Sequence, residues 1–96
     1  MIDIEKEFEK YDSVFCKFDQ IQDKLSQRRD LCAFMYLDKL IPDQNGKIIS
    51  CAEHDEIYLE VDISELAKVA TEEDVLFLLR CGVRYDSELE SLCMFV

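Results

Sequence analysis

Residues 56–63 read EIYLEVDI, and apolar and polar side chains alternate without a break. Period two marks a strand with one face covered and the other open. Ile57, Leu59, Val61 and Ile63 fall on one face; Glu56, Tyr58, Glu60 and Asp62 fall on the other. Such a strand cannot stand alone, because its apolar row needs a sheet and a covering layer.

The residues before it supply a partner. Residues 42–47, PDQNGK, form the strongest turn signal in the chain, since Asn45-Gly46 tolerates positive φ. A strand should follow, with Ile49 and Cys51 on its core face, and reverse near His54-Asp55. The lone histidine then sits at a hairpin tip. Further on, Asp62 or Ser64 can cap a short helical turn, with Glu65 placed for a capping box. Thr71 reads as a fresh N-cap, with Glu72, Glu73 and Asp74 in the first turn and Gly82 at C′. The end of the chain reads as a second hairpin, with strands Val83–Asp86 and Ser91–Phe95.

The first third reads as helix. Ile4, Phe8, Tyr11, Phe15, Phe18, Gln22 and Leu25 recur at alternating spacings of four and three. This stripe packs on the protein's own sheet or, as a coiled-coil-like seam, on a second copy. In the second case Phe8, Tyr11, Phe15 and Phe18 are the self-association residues of a homodimer. Residues 31–41, LCAFMYLDKLI, are apolar nearly all round and read as a second helix, buried on several sides, with Asp30 as its cap and Pro42 at its end. The expected architecture is α+β in a single domain, 1–96. Two N-terminal helices (1–41) precede a ββαββ part (47–96), and the helices pack on one face of a small antiparallel sheet.

Charge narrows the function classes. The 96 residues carry 22 acids against 11 lysines and arginines, a net of −11, which disfavours direct contact with nucleic acid or an anionic membrane. Residues 53–74 hold nine acids and one base, Lys68. No apolar run approaches the ~20 residues of a membrane span. The charged start MIDIEKEFEK is unlike a signal peptide. The five cysteines contain no CxxC pair and all have apolar neighbours, which suits reduced, buried thiols in a cytoplasmic protein.

Catalytic and metal motifs are missing. Cys51-x-x-His54 has the spacing of half a zinc site, but no second half follows in the sequence. A Cys–His nucleophile would depend on that same turn histidine. There is no glycine-rich phosphate loop, nucleophile elbow or calcium loop. The expectation is therefore a non-catalytic protein with no cofactor and no metal. Its binding surface would be acidic: Glu53, Asp55, Glu56, Glu60, Asp62, Glu72, Glu73 and Asp74, with Tyr58 as an aromatic anchor. The expected partner is a basic protein surface, such as the nucleic-acid channel of a nuclease or DNA-binding protein. The alternative is a helix-driven assembly module whose acids serve solubility alone. In size and charge the chain resembles the inhibitors that phages and mobile elements direct at nucleic-acid enzymes. That resemblance is one of size and charge alone and carries over no individual residue; separately, the net −9 of residues 42–96, gathered on one face, would approach the charge density of a single DNA strand, which allows partial mimicry without requiring it.

Overall fold

The computed structural model describes residues 2–42, 46, 48–53 and 55–95. Four helices accompany a four-stranded antiparallel sheet: α1 (Ile4–Lys10), α2 (Arg29–Leu40), β1 (Ile49–Glu53), β2 (Glu56–Leu59), α3 (Ile63–Val69), α4 (Glu72–Arg80), β3 (Val83–Asp86) and β4 (Ser91–Phe95). The strand order is β1-β2-β4-β3, so each hairpin stays intact and the two join through β2 and β4. This is the α+β architecture expected, and both helical segments expected between the hairpins, after Asp62 and after Thr71, are present. Among the described residues no helix is long and apolar enough to cross a membrane.

Local chemistry explains the second half. Asp62 caps α3, its carboxylate accepting from the Glu65 amide at 3.2 Å. Thr71 caps α4 in a reciprocal box: its hydroxyl accepts from the Asp74 amide, and the Asp74 carboxylate accepts from the Thr71 amide. α4 stops at Gly82, whose φ of +97° suits a residue without Cβ. A Cβ there would stand 3.2 Å from the Cys16 sulfur, a tight approach that adds to the preference for glycine.

Ile57, Leu59, Val83, Leu92 and Met94 point from the sheet into one core with Leu66, Val75, Leu78 and Leu79. The register fixes these faces. Ile57, Met94 and Val83 stand opposite one another on the inner face, and Tyr58, Cys93 and Arg84 on the outer. The helices cover the inner face.

Four expectations change. The stripe from Ile4 to Leu25 is not one helix: α1 ends at Lys10, and two short 3-10 turns follow, Asp12–Val14 and Phe18–Gln20. Cys16 adopts φ +61°, which no right-handed helix contains, and its amide bonds the Leu79 carbonyl at 2.8 Å. The segment thus wraps onto α4. Phe8 is only 4% exposed, and Tyr11, Phe15 and Phe18 pack against the same core. No continuous helical seam is left for a second copy.

The second change concerns α2. It begins at Arg29, with Arg28 rather than Asp30 at the N-cap, and it is not buried on several sides: Leu31 and Met35 are exposed. The third is that β2 ends at Leu59, so Val61 and Ile63 do not extend its inward row and Ile63 opens α3. The alternation outlasts the strand because Asp62 diverts the chain into a helix.

Last, β1 is an edge strand exposed at all five positions, so Cys51 faces solvent instead of the core. Cys16 is exposed as well, while Cys32, Cys81 and Cys93 are buried. A thiol reagent such as Ellman's is expected to modify two of the five cysteines quickly in the native protein, and the other three only on unfolding. Fast reaction of all five would contradict this packing. The predicted turn at Pro42–Lys47 lies largely outside the described residues, as does His54.

Candidate binding face

The outer face of the sheet has a filled centre and charged ends. Cys51 pairs with Tyr58, Tyr58 with Cys93, and Cys93 with Arg84, forming a row across all four strands. Cys93 is fully buried in that row although it lies outside the main core. The Arg84 guanidinium lies 4.8 Å from the Phe95 ring centre and pairs with the Glu56 carboxylate. The Tyr58 hydroxyl donates to the other Glu56 oxygen at 3.2 Å. Phe95 and Leu89 remain exposed.

Carboxylates occupy both ends of this row. Glu56 lies opposite Phe95 in the register, and Glu53 opposite Glu56, so Glu53, Asp55 and Glu56 gather at one end. Glu60 flanks the other end of β2, nearer the 87–90 turn, where Asp86 accepts from the Glu88 and Leu89 amides. Glu88 and Glu90 are exposed on that turn. Ser50, Cys51, Glu53, Tyr58, Glu60, Leu89 and Ser91 line one shallow groove across the face. Glu56 and Glu60 are four residues apart, about 14 Å at the usual strand rise.

The nine residues predicted for partner binding therefore divide. Glu53, Asp55 and Glu60 are exposed on or beside the outer face, and Tyr58 is half-buried at its centre. Glu56 is there too, with its charge matched by Arg84. Asp62 is the cap of α3. Glu72, Glu73 and Asp74 belong to the helical layer: Glu72 faces Lys10 at 3.9 Å, and Asp74 accepts from the Tyr36 hydroxyl on α2. Sequence reasoning missed Arg84, Phe95 and Leu89. The Phe95 position had a signal, since the last strand ends on an apolar residue; the pairing of Arg84 with Glu56 had none.

Among the described residues, no three His, Cys, Asp or Glu side chains come together as metal ligands. Comparison with protein-family models, with curated proteins and with solved structures finds no match.

Several protons are held tightly. Burial raises the Cys93 thiol above its ordinary value of 9.0, with Arg84 opposing the shift. Burial also raises Cys81, aided by the neighbouring Cys32 thiol. Tyr36 rises above its ordinary value of 10.0, first through burial and then through its bond to Asp74. In each case the folded state binds the proton more strongly than the unfolded chain does. Their contribution is thus complete below the unfolded values and is lost as pH rises. The urea midpoint is expected to be unaffected by these groups between about pH 7 and 8 and to fall progressively above about pH 9. A midpoint still flat at pH 11 would contradict the burial of these groups.

Proposed function

We propose that this protein is a non-catalytic binding module whose outer sheet face takes a basic surface of another protein. The observation that carries the reading is the face itself. It lacks a helical cover, and among the described residues its two hairpins bring six carboxylates (Glu53, Asp55, Glu56, Glu60, Asp86 and Glu88) against one arginine, Arg84. Tyr58, Leu89 and Phe95 supply the apolar contact that charge alone does not, because affinity concentrates in desolvated aromatic and aliphatic anchors. The carboxylates speed encounter and select for a basic partner.

The basic surfaces of this size that proteins carry most plainly are nucleic-acid channels. The molecule is 30 × 27 × 25 Å. One DNA strand of about 30 Å carries about nine phosphates. Six carboxylates come within a few charges of that number, which suits partial mimicry and inhibition of a nuclease or nucleic-acid-binding protein. Burial of Asp74 against Tyr36 and the capping role of Asp62 favour a smaller site than the full acidic segment.

The test compares two variants of equal charge. Glu53→Lys/Asp55→Lys/Glu60→Lys alters the outer face, and Glu9→Lys/Asp19→Lys/Asp23→Lys alters the helical side. Each takes the net charge from −11 to −5. Host proteins captured by the unaltered protein at about 50 mM salt are expected to be weakened at about 500 mM. They should be lost with the first variant and kept with the second. Equal capture by both variants would remove the reading.

A further inference from the structure

The sheet has two edges, and they differ. β3 packs against α1 and α4. β1 packs on β2, and all five of its residues are exposed. An antiparallel edge strand turns alternate main-chain N–H and C=O groups away from its neighbour, and these groups template a further strand. Natural edges are usually blunted by lysine, proline or a covering element. Residues 49–53, ISCAE, contain neither lysine nor proline, and the one irregularity is a register shift between Ile49 and Cys51. Among the described residues, the charges that guard this edge are negative: Glu53 at its end, Asp55 just beyond, and Glu60, whose amide bonds the Ile48 carbonyl at 2.6 Å.

That guard is selective. A second copy would bring its own net charge of −11 to the edge and be repelled. A cationic segment would be attracted. The two faces beside β1 also differ: Ile49 and Ala52 pair with the inward Leu59 and Ile57, while Cys51 and Glu53 pair with the outward Tyr58 and Glu56. A strand laid along β1 would meet apolar side chains on one face and carboxylates on the other.

We propose that β1 is a docking edge for an extended segment of a partner protein that alternates basic and apolar residues and adds to the sheet as a fifth strand. Its main chain bonds residues 49–53, its lysines or arginines lie over Glu53 and its neighbours, and its apolar side chains lie beside Ile49 and Ala52. This rests on the reading of the outer face as a site for a basic partner, and it adds the mode of engagement.

The experiment uses two peptides of about eight residues alternating Lys and Val, one unmodified and one N-methylated on alternate main-chain nitrogens. Their charge is identical. Binding to the intact isotope-labelled protein is followed by amide exchange and chemical shifts. The unmodified peptide is expected to protect amides within 49–53. The N-methylated peptide should bind about tenfold more weakly, the loss of one or two main-chain hydrogen bonds. Equal affinities, with shifts centred on Tyr58, Cys93 and Phe95, would overturn the edge proposal while leaving the outer-face reading standing. Binding of neither peptide at about 50 mM salt would overturn the proposal and count against the charge complementarity beneath both. Protection of 49–53 that grows with protein concentration in the absence of peptide would overturn it in favour of a second copy.

Discussion

Leu78→Ala is expected to lower the stability to unfolding by about 2–5 kcal/mol. Leu78 has no exposed surface and lies on α4, which packs against α1, β3 and both 3-10 turns. Truncation removes buried methyl groups and leaves a cavity that so many converging elements cannot close together. A domain of this size holds only about 5–15 kcal/mol in total. The loss thus corresponds to a fall in Tm of at least about 8 °C, at about 4–8 °C per kcal/mol. Urea titration followed by far-UV circular dichroism measures it. A cost below about 1 kcal/mol would mean that α4 is not the centre of the core.

Asp74→Ala is the second large effect, at about 2 kcal/mol. Three contributions vanish together: the reciprocal bond to the Thr71 amide, the favourable charge at the α4 N-terminus, and the acceptor for the half-buried Tyr36 hydroxyl. Tyr36 also stacks on Phe77 at 3.9 Å, so this hydroxyl bond helps join α2 to α4. The double variant with Tyr36→Phe should cost less than the sum of the single variants, because the two share one bond. Glu53→Ala and Glu60→Ala, by contrast, should change stability by about 0.5 kcal/mol or less, as exposed side chains with no partner among the described residues do. A large cost at Glu53 or Glu60, or none at Asp74, would reverse the division of the acids into structural and surface sets.

That division was only partly legible from the chain. Thr71, Asp74 and Gly82 announce α4 because capping depends on residues within a few positions of one another. The last hairpin is equally plain, since both strands carry short apolar runs separated by polar turn residues. The N-terminal third misleads for a physical reason. Apolar spacings of three and four arise wherever a chain must face a core at intervals, and here a short helix and two 3-10 turns satisfy them. The positive φ of Cys16 and its bond to Leu79 come from tertiary docking, which no neighbouring residue signals.

The candidate site shows the same limit. Alternation correctly sorted Ile57 and Leu59 from Glu56 and Tyr58. It could not say that Glu56 finds Arg84 across two strand pairings, or that β1 ends up at the edge with Cys51 in solvent. Those facts follow from the order β1-β2-β4-β3, and strand order is set by the packing of distant segments. The acids of 53–74 look like one patch in sequence; the fold sends Glu72–Asp74 to the helical layer and brings Asp86 and Glu88 to the second hairpin of the sheet instead.

Carboxyl footprinting tests the outer face most directly. The protein, alone and with a captured partner, is treated with a carbodiimide and glycine ethyl ester, and modification at each acid is read by mass spectrometry. Protection confined to Glu53, Asp55, Glu60 and Glu88, with Glu9, Asp19 and Asp23 labelled as in the free protein, is the predicted result. Protection of the helical-side acids, with the hairpin acids still fully labelled, would contradict the account.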